Sequence, residues 1–433
     1  RLIGEKVMNN GSIVTPSGGL VMMAAGEHIR LADNPTSNLY VEKLRTNIPL
    51  ENYVKNTGTV STDGGKVLLA AGDILSQAAI TDAASFAATA TGDVTVNAQV
   101  TTTDDIKMRA GRENDTDLPT SPAGIINIAD QQETPRQGEP KSQYAGDILA
   151  TDILDAGGDI DLKGNQIELA RDVTASGNLT ITGADPDYRG EIFADGKLQA
   201  YGDIEISGTT THAKDDIVAG RNVTLHKKVL MEGLGRQLIR ADTGTLTAKD
   251  QVQKLSHGTL RLQGGAEGLA IDLQHSGPGP AASTYMGNLE IEGIGDVQIG
   301  GDLTTFGPGM LIIPAFLTVE EDGTTHCRPT GGVLVTSDEG KIYTAGGADD
   351  TLNISITGSS DHFEGTGISA EEADAKAAIV VISPEDLKFG DQSSLQAYGR
   401  YYDDVDDRPA IGSLASDAEI PAGFPRDQGT PFD

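Results

Sequence analysis

Asn56-Thr57-Gly58-Thr59-Val60-Ser61-Thr62-Asp63-Gly64-Gly65-Lys66-Val67-Leu68-Leu69-Ala70-Ala71-Gly72-Asp73 repeats, with one residue deleted, the earlier stretch Asn9-Asn10-Gly11-Ser12-Ile13-Val14-Thr15-Pro16-Ser17-Gly18-Gly19-Leu20-Val21-Met22-Met23-Ala24-Ala25-Gly26-Glu27. A fainter echo runs from Gly331 to Gly347. Self-similarity on this scale is the signature of a stacked architecture, in which each unit leans on its neighbours for a core.

Working outward, a shorter unit recurs more often. Gly-Asp or Gly-Asn precedes alternating apolar residues at Gly72, Gly92, Gly146, Gly158, Gly177, Gly202, Gly287, Gly295 and Gly301, with some variation. In Gly177-Asn178-Leu179-Thr180-Ile181-Thr182-Gly183 the aliphatic residues alternate with Thr. In Gly158-Asp159-Ile160-Asp161-Leu162-Lys163 they alternate with charge. Period two means a strand with one buried face. Gly and Asn/Asp between strands supply the turns. Strands this short, with turns this frequent, do not suit a sandwich. They suit coils of about 20 residues stacked in parallel, with aliphatic columns inside.

Composition agrees. The 433 residues include 54 glycines, 4% aromatics and no tryptophan, so the core must be narrow and aliphatic. The formal net charge of -32 argues against nucleic acid, whose phosphates need clustered Lys and Arg, and against an anionic membrane surface. It favours solubility, divalent cations and basic partners. Cys327 is the single cysteine, which rules out an intramolecular disulfide. No apolar run reaches the length of a membrane helix. The first residues, Arg1-Leu2-Ile3-Gly4-Glu5, carry neither an initiator Met nor a signal peptide, so any export signal is expected upstream.

Two segments interrupt the pattern. Residues 31–54 carry Pro35 and Pro49; residues 112–143 carry Pro119, Pro122, Pro135 and Pro140. Both read as loops inserted at coil corners. Ser369-Ala370-Glu371-Glu372 has the form of a capping box, which predicts a short helix over 370–378. After Ser383 the repeat pattern ends. An irregular acidic tail over 383–433 follows, with Pro384, Pro409, Pro421, Pro425 and Pro431.

The unit Asn56 to Gly72 resembles the Asn-x-Gly-x-Ile/Val and Gly-Gly-x-Val-x-Leu-x-Ala-x-Gly pattern of filamentous haemagglutinin-like proteins of two-partner secretion. Gly164-Asn165-Gln166-Ile167-Glu168-Leu169 and Asp172-Val173-Thr174-Ala175-Ser176-Gly177-Asn178-Leu179-Thr180-Ile181-Thr182 are similar to that family's coils. The resemblance covers about residues 5–310, with gaps. It implies a right-handed parallel β-helix, export through an outer membrane, and an adhesive or fibre-forming role. The family's amino-terminal secretion domain has no counterpart here, nor does the tail have one in the family.

Many polysaccharide-degrading enzymes share this shape, and fold alone does not decide function. Of the pectin hydrolase motifs only Asp-Asp occurs, at Asp104-Asp105, Asp215-Asp216, Asp349-Asp350, Asp403-Asp404 and Asp406-Asp407, as expected by chance in so acidic a chain. Ser256-His257-Gly258 is the nearest approach to Gly-His-Gly. Lys214, before Asp215-Asp216, is a candidate base for a lyase. His326-Cys327 lacks the further ligands that zinc needs. No nucleophile elbow, phosphate loop or dinucleotide fingerprint is found. Calcium is the cation the acidic turns would suit, at Asp155, Asp159 and Asp161 or at Asp403, Asp404, Asp406 and Asp407. The simpler reading of both sets is a solvated acidic turn. Tyr398, Tyr401 and Tyr402 are the candidates for glycan or subunit contact.

The expectation is therefore all-β: a right-handed parallel β-helix (β-solenoid) over 1–382, with insertions near 31–54 and 112–143, then an extended tail over 383–433. The expected role is non-enzymatic, extracellular and structural: a surface adhesin or a self-assembling filament subunit. Head-to-tail stacking would form a homo-oligomer, with the tail on a neighbour. Glycans or a host or matrix surface are the further partners. A glycan-binding module and a β-helix polysaccharide lyase or hydrolase are the alternatives.

Overall fold

A computed structural model describes residues 1–26, 28–34, 38–45, 52–111, 146–183, 190–274, 282–300, 302–306, 331–337, 341–344, 353–357, 377–383, 387–388, 394–398 and 411–415. Side chains are described within 1–26, 52–111, 146–183, 190–256, 259–274 and 289–300, and at 335, 341 and 342. Among the described residues there is no helix; parallel strands stack as a β-solenoid. The chain divides into two compact units, 1–202 with 206–211, and 203–205 with 212–433.

In the first unit three files of strands run side by side. One contains Leu2–Gly4, Leu20–Ala25, Lys66–Ala71, Ser85–Ala90, Ile106–Arg109, Ile160–Gly164 and Leu179–Gly183, each in parallel register with the next. A second contains Val7–Asn9, Tyr53–Asn56, Asp73–Ser76, Val94–Val96, Ile148–Ala150, Ile167–Leu169 and Ile192–Ala194. The third side pairs Ser12–Val14 with Thr59–Ser61, and further on stacks Ile80–Ala83, Val100–Thr102, Leu154–Ala156, Val173–Ala175 and Leu198–Ala200. Stacked positions lie 20 residues apart at Asp73 and Asp93, 19 at Asp159 and Asn178, and 25 at Asp172 and Lys197. The offset jumps to 54 between Asp93 and Asp147, because the 112–143 insertion falls there.

Because register is kept, like side chains fall over like. Val21, Val67, Phe86, Ile106, Ile160 and Leu179 form one inward column. All are buried. Each such side chain contributes about 1.5–3 kcal/mol when taken out of water. The repeated Asn of the Asn-x-Gly unit has a role of its own. Asn9 Nδ2 donates to Asn56 Oδ1 at 2.8 Å, and Asn56 Nδ2 donates to Ser76 Oγ at 3.4 Å, so buried amides satisfy one another from coil to coil. The glycines of the repeat stack where coils touch: a Cβ on Gly58 would lie 1.9 Å from Gly11 O, and one on Gly65 1.9 Å from Gly19 O.

The second unit repeats the scheme. Val223–Leu225, Leu246–Ala248, Leu269–Leu273, Asp296–Ile299, Ile342–Thr344 and Leu387–Lys388 form one file. Another contains Ile217–Ala219, Gln237–Ala241, parts of the long strands Val252–Gly264 and Ala282–Gly293, then Gly331–Ser337, Ala377–Ser383 and Ile411–Ala415. Lys228–Met231, the other halves of those long strands, Asp302–Phe306, Asn353–Thr357 and Ser394–Tyr398 make the third.

Three expectations change. Residues 31–54 are not simply a loop: His28–Asn34 and Asn38–Arg45 pair antiparallel, and the second strand passes beside Lys66–Ala71. Parallel pairing also does not stop at Ser383. It includes Ile342 with Leu387, Ile354 with Leu395 and Ile379 with Ile411, because short aliphatic segments can still add a rung between prolines. Of the helix expected over 370–378, only residues 377 and 378 are described, and they belong to the strand Ala377–Ser383, whose run of Ile and Val favours the extended form.

Candidate functional site

The acidic residues that drew attention in the sequence sit at coil corners. There the chain turns between files, and a backbone N–H needs a partner. In one file Asp73 Oδ1 accepts the N–H of Asp93 at 3.0 Å, and Asp93 Oδ1 that of Asp147 at 3.0 Å. Asp147 Oδ1 then accepts the N–H of Gln166 at 3.1 Å and Nδ2 of Asn165 at 2.9 Å. In another, Asp105 Oδ1 accepts from Asp159 N–H at 3.0 Å, and Asp159 Oδ1 from Asn178 N–H at 2.7 Å. The second unit has the same device. Asp203 Oδ1 accepts from Asn222 N–H at 3.0 Å, and Asn222 Oδ1 from Thr245 N–H at 2.9 Å. Asp172, Asp216 and Asp296 serve Lys197, Leu238 and Lys341 in the same way. A side-chain oxygen two bonds beyond Cβ spans the step between coils, which is why Asp or Asn follows Gly so often. One oxygen of each of these carboxylates is thereby committed to the next coil.

The corner acids do not titrate alike. Burial pushes the Asp73 carboxyl up, the Asp93 N–H pulls it down, and the charge of Asp93 raises it again; the net shift is upward. At Asp105 burial also pushes up. The N–H of Asp159 and the Lys107 ammonium, 3.1 Å away, outweigh it, and the carboxyl ends below its usual range. Asp82 is held low chiefly by the Ser61 hydroxyl, helped by the N–H groups of Thr62 and Asp63.

The sequence-derived calcium trio is dispersed over the coil. Asp155 is stacked between Thr101 and Thr174 on one side. Asp159 is a corner cap, and Asp161 lies on another side, 3.4 Å from Arg109 Nη2. Among the described residues no three His, Cys, Asp or Glu side chains form a metal-holding group. Asp215 accepts the N–H of Asp216, and Asp216 caps Leu238, so the Asp215-Asp216 pair beside Lys214 is engaged in the turn. Asp403, Asp404, Asp406, Asp407, Tyr401 and Tyr402 lie outside the described residues, as do His326 and Cys327; Tyr398 ends the strand Ser394–Tyr398, with its side chain outside them.

Sequence reasoning passed over two polar groups in the second unit. Outside, Glu205 Oε1 lies 2.7 Å from His226 Nε2, and His226 Nδ1 lies 3.3 Å from Lys249 Nζ, so three coils are tied by one file of side chains. Inside, Lys254 is 0% exposed. Its Nζ donates to Gly233 O, to Gln237 Oε1 at 2.6 Å and to Ser256 Oγ at 2.8 Å. Burial lowers its pKa from the ordinary 10.5 to about 8. The signal was the alternation Val252-Gln253-Lys254, which turns Lys254 inward with Val252; the burial of Gln237 was not legible. Comparison with protein-family models, with curated proteins and with solved structures gave no match.

Proposed function

We propose that this chain is a non-enzymatic, extracellular structural protein of the filamentous haemagglutinin-like kind, acting as a surface adhesin or a filament subunit. The observation that carries this reading is the use of the corner carboxylates. Asp73, Asp93, Asp105, Asp147, Asp159, Asp172, Asp203, Asp216 and Asp296 each hold a backbone N–H of the next coil. One oxygen of each is committed to cohesion between coils. A stack so joined transmits load along the chain and presents long side faces to partners. The net charge of -32 suits contact with basic surfaces and keeps the stack soluble.

Electron microscopy of the purified protein, alongside incubation with a panel of acidic and neutral polysaccharides, tests the reading. Rods or filaments with unchanged polysaccharide length are expected. Depolymerisation of any polymer, with new reducing ends or unsaturated uronate, would replace the structural role with a lyase or hydrolase.

A further inference from the structure

Lys254 stands where a solenoid has no need of a lysine. The inward position before it in the same stack is Met231, and Val252, two residues back on the same inward face, is aliphatic as well. Among the described residues every group its Nζ touches is a neutral oxygen, and none of them is a carboxylate. An ammonium buried on those terms is costly, and the cost disappears if the nitrogen becomes an amide. The second partner is equally secluded: Gln237 is 2% exposed. Its Nε2 donates to Ala213 O at 3.2 Å, which fixes the amide with Oε1 turned to Nζ at 2.6 Å. Cδ is one bond beyond Oε1.

We propose that Lys254 and Gln237 join in a spontaneous intrachain isopeptide bond, Nζ replacing Nε2 on Cδ. The reaction needs no oxidant and no co-reactant. The ammonium first loses one proton to solvent, which its lowered pKa allows near neutrality. Nζ attacks Cδ and forms the new C–N bond. A proton passes from Nζ to the departing nitrogen, with Ser256 Oγ, 2.8 Å from Nζ, as the nearest hydroxyl to relay it. The Cδ–Nε2 bond breaks and one ammonia leaves. The product is a neutral secondary amide in place of a buried cation and a primary amide. Holding the two groups in contact replaces a bimolecular encounter, which is the largest help an uncatalysed transamidation can have. The link ties residues 237 and 254, 17 residues apart and in different files of the second unit, with a covalent bond inside the stack.

The test is the mass of the purified chain under denaturing conditions, followed by tryptic mapping. The expected result is a mass one ammonia below that of the sequence. Peptide 237–240 should be joined to peptide 250–261, with no cleavage after Lys254. A chain of full mass, cut after Lys254, overturns the proposal, and so does an ammonia loss mapped elsewhere. Q237A and K254M should each retain full mass. Chain held in denaturant from synthesis should retain it too, then lose ammonia on refolding, faster at pH 9 than at pH 7. Loss at the same rate in denaturant would overturn the role of the fold.

Discussion

One outward column of the first unit changes character along its length. Met22, Leu68, Ala87, Lys107, Asp161 and Thr180 occupy the same position on successive coils. The first two are buried although they point away from the core, whereas Asp161 and Thr180 are partly open. The inward column beside it, Met23, Leu69, Ala88, Met108, Leu162 and Ile181, is buried throughout. The antiparallel pair His28–Asn34 and Asn38–Arg45 passes beside Lys66–Ala71, where the outward cluster of Met22, Ala24, Leu68 and Ala70 lies. A solenoid strand thus has one obligatory apolar face, and the other becomes apolar only where chain is laid over it.

The sharpest way to break that comparison is a charge at each end of the outward column. Leu68→Asp places an unpaired carboxylate under the cover and should cost at least about 3 kcal/mol in denaturant unfolding. Thr180→Lys, at the same position beside Asp161 on an open face, should change stability by no more than about 1 kcal/mol. Equal effects would show that the two regions do not differ. Next in size comes the closeness of coils. Gly65→Ala drives a Cβ into the Gly19 carbonyl, backbone against backbone, and should cost about 1–3 kcal/mol. Gly164→Ala meets first the Ile148 side chain, at 3.0 Å, and should cost less in the same assay.

The smallest effects lie at the corners and depend on pH. Asp82 has a folded pKa below its unfolded value near 3.8. Its contribution is therefore complete above that value and is lost as pH falls through the folded one. Asp73 has a raised pKa, so folding binds the extra proton and stability declines as pH climbs from about 3.8 through the folded value. Asp82→Asn should remove part of the acid-induced loss seen in unfolding curves. Asp73→Asn should be neutral or slightly stabilising at pH 7, because an amide oxygen still accepts the Asp93 N–H without the cost of a buried charge. Reversed signs would mean that the two corners are built differently.

Much of this was legible in the residues. The Asn-x-Gly and Gly-Gly units predicted coils, and Asn9 over Asn56 and Gly19 facing Gly65 are those units in register. Leu179-Thr180-Ile181-Thr182 predicted an inward Leu and Ile, which the structure bears out. The hairpin was missed, although the unbroken apolar runs Leu20 to Ala25 and Val67 to Ala71 carried the signal, since a strand that does not alternate is covered on both faces. The corner carboxylates read as turn residues or cation ligands, because their acceptor role exists only once a second coil lies 19 or 20 residues on. Lys254 drew no reading: its alternation with Val252 turns it inward, but the oxygens of Gly233, Gln237 and Ser256 that hold it there are not put together by sequence spacing.

Paired cysteines test the stacking register most directly. With Cys327→Ser as background, Asp161→Cys with Thr180→Cys joins partners that face each other across one coil step, a separation a disulfide spans. Rapid, near-complete intrachain oxidation is the result the stacked register requires. Asp161→Cys with Ile181→Cys, one residue out of register and on the opposite face, should stay reduced. Oxidation of the second pair as readily as the first would contradict the fold on which the whole account stands.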